Sequence, residues 1–212
     1  RNTRFALASI RVSAIIGLFG SLAVMGTGDS SALHVAKYQP MKLAAAEGLM
    51  DGGEQAPFSI VPGIEIPGML SILATHDLNG FVPGINNLLN GYTTKDGEKH
   101  PSAAEKMQRG KIALEAFREY RSLSDSNLTA KTEVSNILEE NIDYFGYGYI
   151  TSREELVPPV PLVYWAFRVM VGLGSALLLL MFIVLWAERK KRLESMTWLQ
   201  KAAILAIPMV YL

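Results

Sequence analysis

The sequence predicts an all-α fold: a multi-pass transmembrane helix bundle interrupted by one long, partly helical extracytoplasmic loop. Three observations lead there. Of 212 residues, 50% are hydrophobic and only 19% charged, a membrane-leaning balance. The apolar residues gather in three blocks, Phe5 to Met25, Pro161 to Trp186, and one opening near Trp198 and still apolar at Leu212. Charge is also segregated. Between Gly28 and Pro161 there are 18 acidic and 11 basic residues, a net of −7, and the remainder holds 2 acidic and 9 basic, a net of +7.

Residues 1–27 form the first predicted span. A helix rising about 1.5 Å per residue needs roughly 20 apolar residues to cross a bilayer core, and this block is long enough. A secretory signal is the competing reading, opposed by Arg11 within the apolar stretch and by its length. Ser9, Ser13, Gly17 and Ser21 recur every four residues, a stripe of small side chains that admits a neighbouring helix. Arg11 is expensive in lipid, so it either faces a bundle interior or a cofactor carboxylate, or snorkels to the cytoplasmic interface.

Residues 28–160 form the loop, too long for a mere connector. Its first part, His34 to Met50, reads as a short helix ending near Gly52 and Gly53. From Gln55 to Gly91, four prolines and many glycines interleave with Ile, Leu, Phe and Val, giving irregular yet partly buried chain. Such an apolar loop packs on membrane, another subunit or a lipid-like ligand. Ser102, three residues before Glu105, opens a capping box and a helix carrying Met107, Ile112, Leu114, Phe117 and Tyr120. A further helix is expected over Thr132 to Tyr144, broken by the run Tyr144-Phe-Gly-Tyr-Gly-Tyr149.

Residues 161–187 form the second span, 188–197 a basic connection and 198–212 the start of a third span. Arg1 and Arg4 precede the first span, and Arg189, Lys190, Lys191 and Arg192 follow the second. The positive-inside rule makes both clusters cytoplasmic and the loop external. The start at Arg1 and the cut third block suggest part of a longer polypeptide, inactive by itself.

Without cysteine there is no disulfide, thiolate metal site or cysteine nucleophile. His34, His76 and His100 show no metal-ligand spacing, and the glycines near Gly146 lack the Lys-Ser/Thr of a phosphate loop. No basic patch of the kind nucleic acid requires is present.

Three blocks are more specific: Gly28-Asp-Ser-Ser31, Gln39-Pro-Met-Lys42-Leu-Ala-Ala-Ala-Glu47 and Tyr164-Trp-Ala-Phe-Arg168-Val-Met170-Val-Gly172. Together with the Gly146-Tyr-Gly148 turn, they make the chain resemble subunit I of cytochrome bd quinol oxidases. In that family a Gly-Asp motif leads into a quinol loop bearing Lys-Leu-Ala-Ala-x-Glu. A later Phe-Arg-x-Met motif supplies the methionine ligand of a low-spin b-type haem.

The resemblance implies a membrane quinol:oxygen oxidoreductase of the bacterial inner membrane, using ubiquinol or menaquinol, with the loop on the periplasmic side. It implies Lys42 as quinol binder, Glu47 as proton acceptor, Met170 as iron ligand and Arg168 as the partner of a haem propionate. Further b- and d-type haems would sit in the rest of the subunit, where oxygen is reduced. The implied partners are membrane lipid, a second oxidase subunit and small accessory subunits.

The chemistry is consistent with those roles. Lys42 and Glu47 lie about 140° apart on a helix, so they are not the usual i,i+4 pair. An ammonium suits a ring oxygen and a carboxylate suits a proton, although an ordinary solvated face is the competing reading for both. Arg168 would be costly within a span unless satisfied. It lies about 200° from Met170, so it would have to reach around the haem edge. Met170, about 13 Å along the helix from Pro161, puts the expected haem beneath the loop. A non-enzymatic membrane sensor with an extracytoplasmic ligand-binding module has the same topology but needs no haem, and a structural scaffold is a third reading.

Overall fold

A computed structural model describes residues 3–123 and 127–209. The fold is mainly helical, and the chain divides into two compact units, Val35–Val163 and the flanking Arg1–His34 with Tyr164–Leu212.

The flanking unit contains most of α1 (Thr3–Tyr38) and α7 (Val160–Arg189) together with α8 (Thr197–Met209). Helices α1 and α7 are long and apolar enough to cross a membrane. The helix α1 is longer than the apolar block that predicts it. Gly28-Asp-Ser-Ser31 stays helical, and chain hydroxyls accommodate the helix: Ser21 donates to the Gly17 carbonyl and Thr27 to those of Ala23 and Val24. Extending an existing helix is easier than nucleating one, so the chain runs on to Tyr38. At 1.5 Å per residue its 36 residues span about 54 Å, well beyond the roughly 30 Å of a bilayer core. The end of the helix and the edge of the membrane are therefore separate boundaries.

Within this unit Ala14, Val184, Ala187, Leu193 and Leu199 form the buried cluster. The small-residue stripe is used only in part. A β-carbon on Gly17 would lie 2.9 Å from the Met181 sulfur, so this glycine admits a side chain of α7, whereas Ser9 and Ser13 are exposed. Arg11 pairs with Glu188 near the end of α7, a partner that lies 177 residues away in sequence.

The unit Val35–Val163 begins its own fold at a break. Pro40 has no N–H, and its ring disfavours helix in the preceding residue, so Gln39 adopts φ −134° and a new helix α2 (Pro40–Glu47) begins. The continuous helix expected from His34 to Met50 is thus two pieces. The helix α2 ends on Gly48, whose φ of 66° is left-handed and favours glycine.

The Pro/Gly-rich stretch is more regular than expected. It holds the antiparallel pair β1 (Phe58–Val61) and β2 (Ile64–Ile66), then α3 (Met69–Thr75) and α4 (Ile85–Asn90). A second short pair, β3 (Tyr92–Thr93) and β4 (Lys99–His100), follows. These hairpins are local additions to a helical fold. The stretch is stapled at its neck. Gly53 and Val82 exchange backbone hydrogen bonds of 3.0 Å in both directions, and Asn87 Oδ1 accepts from Gly52 N at 2.6 Å and Gly84 N at 3.0 Å.

The Ser102 half of the expected capping box is observed: Ser102 Oγ accepts from Glu105 N, and α5 (Ala103–Ser122) starts there. Its inward face is smaller than the pattern of large apolar residues suggests. Met107 and Leu114 are buried along with Ala103, Gly110, Ala113 and Ala116, whereas Ile112, Phe117 and Tyr120 are exposed. The helix expected at Thr132 is α6 (Leu128–Asn141), followed by a 3-10 helix, Ile142–Tyr149, where the aromatic-glycine run begins.

Both α6 and the 3-10 helix pack against α5. Gly110 and Gly148 set the closest approach. A β-carbon on either would overlap the other's backbone, so two main chains touch directly.

Candidate functional site

A cavity of about 470 Å³ opens within the unit Val35–Val163. The α1–α2 junction supplies one wall, with Tyr38, Gln39, Pro40, Met41 and Lys42. Ala103 and Lys106 from the first turns of α5, Tyr147 from the 3-10 helix, and Glu155, Leu156, Pro158 and Val163 supply others, with Leu88 from α4. The lining is mainly apolar, with two lysines, one carboxylate and two tyrosines. An apolar wall with a few polar groups is the balance of a small-molecule site.

Each polar group is placed by its element. The break at Gln39 puts Lys42 in the first turn of α2, where its side chain is exposed to the cavity. Lys106 is half-buried, with Nζ 5.8 Å from the centre of the Tyr147 ring, within reach of a cation–π attraction. Burial pushes the Lys106 ammonium below its ordinary pKa. Burial also pushes the Tyr147 phenol up, with the nearby Tyr144 adding to it. Glu155 accepts from Thr151 Oγ1 at 2.5 Å and from Thr151 N at 3.1 Å, and these bonds, the hydroxyl's first, hold its carboxyl below the usual range.

The sequence-derived residues are distributed as follows. Lys42 lines the cavity. Glu47, at the other end of α2, is 6% exposed and is not among the lining residues. Arg168 and Met170 belong to the other unit, on α7. Arg168 is 8% exposed, with its guanidinium carbon 4.5 Å from the Tyr164 ring centre and 5.2 Å from that of Phe167. Met170 is 61% exposed, in keeping with the 200° that separates positions i and i+2.

Sequence reading missed Lys106, Tyr147 and Glu155 as members of this site. They lie more than 60 residues beyond Lys42, and no local spacing joins them to it. The one available signal was the Gly146-Tyr-Gly148 turn, whose second glycine makes the contact with Gly110.

Over residues 1–212 the chain matches the family described as cytochrome bd terminal oxidase subunit I. The chain belongs to that family.

Cytochrome bd-II ubiquinol oxidase subunit 1 of Escherichia coli is 33% identical to it, over 96% of this chain and 43% of that relative. Cytochrome bd ubiquinol oxidase subunit 1 of Bacillus subtilis is 25% identical, over 100% of this chain and 36% of its own length. A putative cytochrome bd menaquinol oxidase subunit I of Bacillus subtilis is 35% identical, over 41% of this chain and 22% of that protein. The chain thus spans less than half the length of the curated relatives it matches.

Proposed function

We propose that this chain is the electron-entry part of a cytochrome bd-type quinol:oxygen oxidoreductase, and that quinol docks in the cavity beside Lys42. The observation that carries this reading is the coincidence of two independent features. The Lys-Leu-Ala-Ala-Ala-Glu block belongs to a chain of this family, and its lysine lines an apolar cavity of ligand size.

In this reading the Lys42 ammonium donates a hydrogen bond to a ring oxygen of the quinol, while Leu88, Met41 and Pro158 surround the apolar body. Oxidation of a quinol to a quinone releases two protons and two electrons. Glu47, which lies beyond the cavity lining, takes one of those protons through a relay from the ring, and the other leaves to solvent. Apart from Val163 the cavity lining comes from residues 28–160, the expected loop, and the positive-inside rule favours proton release on its outer side.

The donor groups on α7 fit a low-spin b-type haem. Met170, exposed on α7, would offer its thioether to the iron, and Arg168 would offer a cation to the propionates. When bound, such a haem accepts electrons one at a time. The b- and d-type haems of oxygen reduction, the second oxidase subunit and any small accessory subunits belong to the remainder of the complex. Membership of an oxidase family favours this reading over a non-enzymatic sensor.

Oxygen uptake driven by quinol, measured on membranes containing the full-length parent, tests the reading. Lys42→Ala and Glu47→Ala are each expected to suppress uptake with haem content unchanged. Full uptake in both variants would remove the quinol site from this cavity.

A further inference from the structure

We propose that Lys106 is a second binding residue for the quinol, donating to a ring oxygen from the wall that α5 contributes to the cavity. This rests on the assignment of the cavity as the quinol site and adds a residue to it.

The argument begins with how poorly Lys106 is served by the protein alone. It is the fourth residue of α5, a helix of 20 residues, in the turn where the helix dipole disfavours cations. It is half-buried, and burial makes its charged form costlier. Among the described residues no carboxylate pairs with it, and the Tyr147 ring is its polar-face neighbour. Glu155 lines the same cavity, but its carboxylate is engaged by Thr151. A surface-seeking lysine would have turned towards water. This one lines an apolar cavity whose other lysine, Lys42, is also in no ion pair among the described residues.

The position is built rather than incidental. Direct backbone contact between Gly110 and Gly148 holds the 3-10 helix against α5, which sets Tyr147 beside Lys106. The ring covers one side of the ammonium and leaves its remaining N–H groups to a ligand. A quinol presents oxygens at opposite ends of its ring, and its oxygen becomes more negative as the proton leaves. A cation in a partly desolvated wall strengthens its hold on such an oxygen, because charge-assisted hydrogen bonds are the stronger kind.

The test uses the full-length protein in its membrane complex, with quinol concentration varied and oxygen uptake recorded. Lys106→Met is expected to raise KM for quinol about tenfold or more, the loss of one charge-assisted bond, with the haem spectrum unchanged. Lys106→Arg, which keeps the cation, is expected to recover most of that loss. Should Lys106→Met fail to assemble, Lys106→Gln takes its place, with the same expected rise in KM. An unchanged KM in the neutral variant, beside a raised KM in Lys42→Ala, overturns the role of Lys106 and leaves the cavity assignment standing. If Lys42→Ala also leaves KM unchanged, the cavity assignment fails and this inference falls with it.

Discussion

The two units use apolar residues in opposite ways. In the flanking unit, large apolar side chains such as Phe19, at 69% exposed, Leu179 and Ile204 point away from the protein, and the buried cluster is small. In the unit Val35–Val163 the core interleaves alanines such as Ala44, Ala45 and Ala113 with larger residues such as Leu70, Val82, Ile85 and Leu88. The difference is one of solvent. Lipid accepts exposed Phe and Leu and requires every backbone group to be satisfied within the helix. In water it is the apolar side chains that must be buried, and a unit with many turns still pairs its buried backbone groups through close packing and side-chain caps.

Substitutions in the two units should therefore fail in different ways. The largest expected effect is in the flanking unit. Met170→Leu keeps shape and hydrophobicity, so α7 should persist while the low-spin b-type signal disappears from the reduced-minus-oxidised spectrum of the full-length protein. An unchanged spectrum would end the ligand assignment.

In the loop unit the sensitive positions are those with no side chain. Gly148→Ala or Gly110→Ala forces atoms into a backbone contact, and overpacking of this kind costs about 1–3 kcal/mol. Limited proteolysis should then cut the loop faster while the haem spectrum stays as it was. Equal protection of variant and parent would show that the contact is not needed.

The smallest effect concerns acid. Thr151 holds the Glu155 carboxyl below its ordinary pKa in the folded unit. Its stabilising contribution is therefore complete above the unfolded value, near about 4.3, and is lost as pH falls through the lower folded value. Thr151→Val should flatten the fall in melting temperature between about pH 5 and pH 3. Because Glu155 is exposed, the change should be slight. An identical pH profile in the variant would count against the pairing.

The sequence made some parts of this arrangement easier to read than others, for physical reasons. Long apolar blocks report helices because lipid length and helix rise are fixed quantities, and α1 and α7 were visible that way. The Ser102 cap was visible because its two residues are three apart. The helical continuation through Gly28-Asp-Ser-Ser31 was not, since glycine and serine look like loop wherever the helix preceding them is ignored. The hairpin β1–β2 was hidden among prolines and glycines that propensity reads as irregular. In the candidate site, Lys42 could be picked out because a motif surrounds it. Lys106 could not, because its significance depends on Tyr147, and that neighbour is set by a contact between two glycines 38 positions apart.

The stapled neck at Gly53 and Val82 bears on how this protein can tolerate added length. Everything between those residues leaves and returns at one point, held by paired backbone bonds and by Asn87. Its far turn is Pro62-Gly63, in a hairpin whose Ile60, Val61 and Ile64 are exposed. Residues inserted there lengthen the excursion without altering the separation of α2 and α4, and the entropic cost of a longer loop grows only slowly. That turn is the place for an epitope or a fluorescent reporter, because its insertion leaves the ends of the excursion where they were.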